Sequence, residues 1–563
     1  MKKIIIAMQA QLSLVIGFGI CLFVSYFYFF INDPRFPQER PELLWVGFLL
    51  SLAFFLIGNK LSKKYPNETK VDLKEGAQAV LLIWVLAIFT SALVFVLSGF
   101  PDPLHPENFS IFRKITDAIF ESVSGYTTAG GSILPSVETF PRGILMWRSM
   151  THWLGGVGMA LLAVTIWRHF RFKRETIMNS EAEGPNYVHY DSEKEAITAG
   201  VYFLKTYGLI TLILVILLII SGLLFRTAPY EQWYDVGFDS FNHALSVMGT
   251  GGFSTYDSSA GLPITELGKS VIGGLRSPVS EWIIATFMFI AGGNFSLWFL
   301  VLYKREWSEV IKNKELRIYT IFVLLITLGI TVILMENNVY SSVADALRYA
   351  FFNVTTIIST TGLATSDFTQ WPGAAEGLLF ICYLVGGMVG STAGGLKMLR
   401  FGILYKYVIM KIQNLIYGRH KTRFLFDGVL YDENAASLIV TNIVLYYMIF
   451  LGGAVLIMVA SPIGTLIDGT KTTVDFTSAI TSSIANLGNI GPMASIGNIN
   501  AGPAGNYFAF SEVAKIIMSV LMMIGRIGVI TVLTLFITNK GIASVKDSVE
   551  EQRFDSDEPL LHV

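Results

Sequence analysis

The chain has 563 residues, is 53% hydrophobic and only 15% charged, and has a mean hydropathy of +0.56. Soluble domains carry about 25% charged residues, and a soluble protein of this size needs more polar surface than this chain offers, so a cytosolic enzyme and a disordered chain are excluded. The 41 Lys and Arg balance 42 Asp and Glu, which leaves no basic footprint for nucleic acid. Cys21 and Cys382 lie in apolar runs, so neither a disulfide framework nor a thiolate metal site is available.

A helix needs about 20 mostly apolar residues to cross the hydrocarbon core. Ten such runs follow one another, near 4–31, 43–59, 77–100, 143–167, 199–225, 281–303, 318–335, 374–396, 437–460 and 507–538. The first is too long and too aromatic for a signal peptide and reads as a retained span. The expected fold is therefore an all-α integral membrane protein of about ten transmembrane helices. Alternate connections are basic: they hold Lys60, Lys63, Lys64, Lys70 and Lys74, then Arg168, Arg171, Lys173 and Arg174, then Lys304, Arg305, Lys312, Lys314 and Arg317, then the stretch Lys397 to Arg423. With the termini that side carries 27 Lys and Arg against 10 on the other, which predicts cytoplasmic termini. Ser556-Asp557-Glu558 reads as a solvated tail.

Four of the opposite connections contain a stretch too short to span that ends in glycine: 120–130, 242–252, 352–362 and 481–491. Aligned on Gly130, Gly252, Gly362 and Gly491, they share a small residue six positions earlier (Ser124, Ser246, Thr356, Ala485). They share a polar one nine earlier (Glu121, His243, Asn353, Ser482), and Thr128, Thr250, Thr360 or Asn489 two earlier. The glycines are 122, 110 and 129 residues apart, about one span–loop–span unit. A half-helix followed by extended backbone leaves carbonyls unpaired, which a membrane tolerates only inside protein or along a water-filled path. Four copies around one axis replace the hydration shell of a monovalent cation, and glycine allows backbone angles that a Cβ forbids. The negative helix-dipole ends favour a cation too. One Thr-Thr-Gly is an ordinary turn; four between spans are a cation pore.

The predicted units are 1–76 (two N-terminal helices), 77–174 (repeat 1), 175–317 (a linker and repeat 2), 318–396 (repeat 3), 397–540 (a linker and repeat 4) and a tail, 541–563. Within repeat 3, Gly386, Gly387, Gly390, Ser391, Thr392, Gly394 and Gly395 interrupt an apolar span, where each glycine costs about 1 kcal/mol against alanine. That run reads either as close helix packing or as a broken helix. Lys515 and Arg526 are eleven residues apart in the last run and share a helix face. Each needs a polar partner or the bundle interior; Glu512, one turn before Lys515, is the partner the sequence offers. His152 and Trp153 read as packing residues, and Arg148 and Lys205 as snorkelling or paired. No His-Glu-x-x-His occurs, and Leu267-Gly-Lys-Ser270 lacks the first glycine of a phosphate loop.

Ser124-Gly-Tyr-Thr-Thr128, Gly251-Gly-Phe-Ser-Thr255, Ser359-Thr-Thr-Gly362 and Gly488-Asn-Ile-Gly-Pro492 resemble the pore loops of the Trk/Ktr/HKT superfamily of potassium transporters. Thr151-His-Trp-Leu-Gly-Gly-Val-Gly158, Gly386–Lys397 and Gly525-Arg-Ile-Gly528 are similar to its other motifs, and the two extra N-terminal spans resemble the Trk branch. Gly528 departs from the acidic residue common there. The resemblance implies four membrane–pore–membrane repeats around one pore and potassium as the transported substrate, with no cofactor bound by this chain. It also implies a homodimer in a bacterial inner membrane, and a cytoplasmic nucleotide-binding regulatory subunit. All-glycine filters accompany potassium selectivity in the family. The coordinating carbonyls would come from Thr128 and Ala129, Thr250 and Gly251, Thr360 and Thr361, and Asn489 and Ile490, with Gly386–Gly395, Lys515 and Arg526 forming the gate. A sodium- or proton-coupled symporter and the channel-like subunit of a Kdp-type pump are the alternatives.

Overall fold

The computed structural model describes residues 2–65, 73–169, 193–225, 232–256, 275, 277–418, 421–427, 429–466, 469–494, 497–499, 501–503, 505–529 and 532. The first span is α1 (Lys2–Ala10) running into α2 (Leu12–Ile31), followed by α3 (Pro41–Lys64) and α4 (Leu73–Leu97). Then come α5 (Ile111–Thr127), α6 (Arg142–His169), α7 (Glu193–Leu224), α8 (Trp233–Gly249), α9 (Pro278–Ala291) and α10 (Phe295–Phe299), which ends in a π-helical turn. After the short α11 (Trp307–Lys312) follow α12 (Lys314–Glu336), α13 (Val343–Ile358), α14 (Gly373–Leu384) and α15 (Met398–Tyr417). An antiparallel hairpin, β1 (Arg423–Phe426) and β2 (Val429–Asp432), leads into α16 (Glu433–Ala460). A second hairpin, β3 (Ile463–Thr465) and β4 (Lys471–Thr473), precedes α17 (Phe476–Leu487) and α18 (Glu512–Ile527).

Among the described residues six helices are long and apolar enough to cross a membrane, seven with one bent pair. Their outer faces expose large apolar side chains such as Phe23, Phe30, Leu325, Met448 and Val459, the surface that a lipid solvent requires. The ten expected runs are thus not ten plain rods. Run 143–167 is one helix, but it carries Arg148 and His152 into the interior. Run 281–303 bends by 107° where Gly292-Gly293 ends α9 and the Asn294 side chain caps Ser296 N–H to start α10. Run 374–396 loses its helix after Leu384, because Val385 is extended and Gly386-Gly387 follows. Helix α18 ends at Gly528, whose φ is +97°; most of 530–538 lies outside the described residues, as do Lys70, Arg171, Lys173, Arg174, most of the 175–198 linker and the tail.

The short helices α5, α8, α13 and α17 are the repeated element. Each packs on the span before it (α4, α7, α12, α16) and on the second helix of the preceding repeat: α5 on α18, α8 on α6, α13 on α9 and α17 on α14. The last repeat therefore touches the first, and the four close into a ring. The N-terminal pair leans on repeat 1, with Phe18 stacked on Trp147 at 3.5 Å between ring centroids.

Candidate ion pathway

Each short helix ends in the same turn. Thr128, Thr250, Thr360 and Asn489 take left-handed angles (φ +55°, +54°, +56° and +54°), and two residues on so do Gly130, Gly252, Gly362 and Gly491 (φ +74°, +84°, +81° and +97°). A non-glycine residue in that region costs about 1–2 kcal/mol, so the conformation is held from outside. The N–H groups of Ala129, Gly251, Thr361 and Ile490 donate to the carbonyls of Ser124, Ser246, Thr356 and Ala485 at 2.8–2.9 Å. These are the small residues six before each glycine. They sit where the helix folds back on itself, and the positive φ falls on the same glycine of each loop, with Gly131 and Gly251 adjoining.

Beyond the turn the chain climbs back beside its helix. Glu121 accepts from Ser132 Oγ and Ile133 N–H, both at 3.0 Å. His243 Nε2 lies 3.5 Å from Ser254 Oγ, and Asn353 Nδ2 donates to Ser366 Oγ at 3.0 Å. The polar residues nine before the glycine thus pin the ascending strand in three repeats. In the fourth, Ser482 Oγ donates to the Ala479 carbonyl of its own helix, and Tyr507 OH donates to the Gly491 carbonyl at 2.7 Å.

The glycines close a cycle. A Cβ on Gly130 would lie 1.9 Å from the Gly251 carbonyl oxygen, one on Gly252 2.1 Å from that of Thr361, and one on Gly362 2.1 Å from that of Ile490. One on Gly491 would lie 2.7 Å from the Ala129 oxygen, which returns to the first repeat. Each glycine thus abuts the carbonyl before the next glycine, an arrangement that can hold a dehydrated cation.

Below this ring lies the segment between α14 and α15. It folds on itself through Gly386 N–H to the Leu396 carbonyl at 2.6 Å, with Gly390 and Gly395 at φ +77° and +66°. The α9–α10 bend cradles it: Met388 N–H donates to the Gly292 carbonyl at 2.8 Å, and Phe295 N–H to that of Gly390 at 3.0 Å. Glu315, near the start of α12, accepts from Val389 N–H at 2.9 Å. From above, Thr250 Oγ1 donates to the Thr392 carbonyl and Gly394 N–H donates to Thr360 Oγ1, both at 2.7 Å. Arg526 donates to the same Thr392 carbonyl at 2.5 Å and to that of Gly155 at 3.4 Å.

A family model for TrkH, described as a cation transport protein, matches residues 51–544. The chain belongs to the TrkH family of cation transport proteins. It is 30% identical over 475 residues to the Trk system potassium uptake protein TrkH of Salmonella typhimurium, covering 84% of this chain and 87% of that one. To the TrkH of Halomonas elongata it is 28% identical over 497 residues (88% and 92%), and to the TrkG of Escherichia coli K12 26% over 510 residues (88% and 92%). The crystal structure of the potassium transporter TrkH from Vibrio parahaemolyticus matches with a TM-score of 0.70 at 22% identity, over 96% of this chain and 99% of that one, which shows the fold. This is a transport family and not an enzyme family.

The remaining candidates of this TrkH-family chain are placed differently from one another. Lys515 is fully buried, and its ammonium lies 2.6 Å from Asp117 on α5; the acid that takes it is thus in the first repeat and not Glu512. Arg113, on the same helix, lies 3.5 Å from Asp117 and donates to the Phe508 carbonyl at 3.0 Å. The structure therefore brings Arg526 to the glycine-rich segment and Lys515 to the seam between repeats 4 and 1. Arg148 pairs with Glu121 at 2.6 Å and reaches the Ser254 carbonyl at 3.2 Å, tying repeat 1 to repeat 2. The motif from Thr151 is a packing surface: a Cβ on Gly155 would meet the Tyr126 carbonyl at 2.2 Å, and Thr151 fills the space over Gly125. The His152 ring stacks on Phe253 at 4.0 Å and stands where a Gly251 side chain would go.

Three contributors are absent from the sequence reading, and a fourth, Lys397, stands there in another role. Gly292-Gly293-Asn294 and Glu315 hold the segment, and only the glycine pair with Asn in an apolar run signals the first of these. Lys397, counted among the cytoplasmic basic residues, is buried and donates to the Ala393 carbonyl at 2.5 Å. Asp427, in the turn of the β1–β2 hairpin, accepts from Lys314 N–H at 3.1 Å and Asn313 Nδ2 at 3.2 Å.

Proposed function

We propose that this chain carries potassium ions inward across a bacterial plasma membrane through the ring at Gly130, Gly252, Gly362 and Gly491. One observation carries the reading: the same strained turn occurs four times and closes a cycle in which each glycine abuts the next repeat's carbonyl. Unbroken carbonyl rows substitute for the hydration shell of a monovalent cation, and four half-helix C-termini add negative potential at the same place. The relatives named as potassium uptake proteins support potassium as the ion. The segment 386–395 is the gate in this reading, and Arg526 is its electrostatic part, since a desolvated guanidinium raises the barrier to a passing cation. The excess of basic residues on one side supports cytoplasmic termini, where a nucleotide-binding regulatory subunit would act on a homodimer.

Expression in a strain lacking potassium uptake, with the native partner present, is expected to restore growth on low potassium. Purified protein in liposomes is expected to pass rubidium well ahead of sodium. Well-expressed protein that restores no growth and passes no rubidium overturns the reading.

A further inference from the structure

The ring of glycines has one loose joint. A Cβ on Gly130, Gly252 or Gly362 would stand 1.9–2.1 Å from the next repeat's carbonyl oxygen, but one on Gly491 would stand 2.7 Å from that of Ala129. Gly491 also has the largest φ of the four, +97°. Its loop lacks the brace that the other three share. Glu121, His243 and Asn353 each reach the ascending strand of their own repeat, whereas Ser482 Oγ donates to the Ala479 carbonyl. The loop that must close the ring onto repeat 1 is therefore the one least fixed by the repeated pattern.

Tyr507, between α17 and α18, spans that joint. It is buried, its hydroxyl donates to the Gly491 carbonyl at 2.7 Å, and its own N–H donates to the Ser132 carbonyl of repeat 1 at 2.8 Å. Its ring lies 5.6 Å from that of Phe120 on α5. Ser132 Oγ is held in turn by Glu121 and Arg148, and Arg113 of α5 donates to the carbonyl of the next residue, Phe508, at 3.0 Å. One side chain thus carries the rigidity of repeat 1 to the glycine of repeat 4. Among the described residues, no side chain donates to the carbonyl of Gly130, Gly252 or Gly362. A second buried tyrosine, Tyr383 of α14, donates to the carbonyl one residue past the ring, that of Pro492, at 3.0 Å.

We propose that Tyr507 is a positioning residue for ion selectivity: its hydroxyl fixes the Gly491 carbonyl, and with it the fourth corner of the ring, against repeat 1. The proposal rests on the ion-path reading above and adds to it a side chain that acts through a carbonyl and not on the ion. Selectivity in a carbonyl ring depends on the spacing of its oxygens and on how far they can follow a smaller ion. An oxygen bonded to a buried, anchored hydroxyl closes on sodium only by stretching that bond; a freed oxygen closes without that cost. Supporting groups of this kind hold a binding geometry to within about 0.5 Å. The joint with the least help from its neighbours is the one where such a group matters most.

Rubidium and sodium uptake into liposomes holding the full-length protein tests this. Tyr507→Phe keeps the ring on Phe120 and removes only the hydroxyl. Its rubidium-over-sodium preference is expected to fall about five-fold, through faster sodium uptake with rubidium uptake little changed. Tyr383→Phe removes an equally buried hydroxyl from the same loop and is expected to keep the wild-type preference, while thermal unfolding in detergent shows both variants destabilised alike. Ser132→Ala keeps the tyrosine but loosens its anchor, and is expected to lower the preference about two-fold; it reads the joint if Tyr507→Phe does not fold. A preference unchanged in Tyr507→Phe, or in Ser132→Ala where that variant stands in for it, overturns the proposal. An equal fall in Tyr383→Phe overturns it too, and in each case the glycine ring stands. Wild-type protein that passes no rubidium overturns the ion-path reading and the role of Tyr507 with it.

Discussion

The first and third repeats share one upper half and differ completely in the lower. Both carry a short helix ending in a left-handed threonine and glycine, Thr128-Ala-Gly130 and Thr360-Thr-Gly362. Below that level α6 runs unbroken, its Gly155 letting it press on the Tyr126 carbonyl, whereas the equivalent helix of repeat 3 is cut between Leu384 and Met398. The seams differ in the same sense. Repeat 1 is held by two almost fully buried ion pairs, Asp117–Lys515 and Glu121–Arg148. Repeat 3 is held by the slightly more exposed Glu281–Arg348 pair on one side and on the other by Tyr383 OH donating to the Pro492 carbonyl at 3.0 Å. In the proposed reading, the part that lets four carbonyls act together is repeated, and the part that gates is the segment of repeat 3 between Leu384 and Met398.

The harshest way to break the contrast is to weaken the rigid side. Lys515→Met leaves the Asp117 carboxylate buried without its partner and is expected to cost about 3–5 kcal/mol. Pairing it with Asp117→Leu should recover most of that; thermal unfolding in detergent reads both. Next in size, Gly130→Ser forces a Cβ towards the Gly251 carbonyl at a left-handed position and is expected to lower rubidium-over-sodium preference at least about ten-fold. Gly131→Ser, which meets the Tyr507 ring at 3.1 Å, should change it far less. A larger effect at Gly131 would place the working glycine one residue later.

Two smaller changes sharpen the mobile side. Arg526→Ala removes a charge-assisted bond to Thr392 worth about 2 kcal/mol and is expected to raise flux without the regulatory partner. A deletion within 386–395 should do likewise, and the double variant should fall short of the sum by more than about 0.5 kcal/mol if loop and arginine act together. Smallest of all, Asp427→Ala removes acceptors that tie the hairpin to Asn313 and to Lys314, the residue before Glu315, whose carboxylate holds Val389. A loss of about 1 kcal/mol and a few-fold rise in flux at most are expected; an unchanged flux would uncouple the hairpin from the gate segment.

The repeated half of the molecule was legible because its constraints are local. A glycine where φ must be positive, and a small residue six positions earlier where the helix folds back, leave marks at fixed offsets. The bend at Gly292 was not legible in the same way, since run 281–303 has the length and hydropathy of a plain span and its shape depends on the segment that it cradles. Nor could Lys515 be matched to an acid 398 residues away while Glu512 stood one turn from it. Long-range pairing is decided by how repeats close on one another, and no offset along the chain encodes it.

The cyclic abutment of the glycines also bears on how the chain is made. Each strained turn is propped by the next repeat, and the Gly491 turn is propped by Ala129 of the first. A nascent chain that has inserted one, two or three repeats therefore has no completed ring, and its left-handed threonines lack part of what holds them. The ring needs the turn after α17, and α18 packs on α5 with Lys515 against Asp117. An unfinished copy of this chain thus lacks the closed ring that the proposed ion path requires.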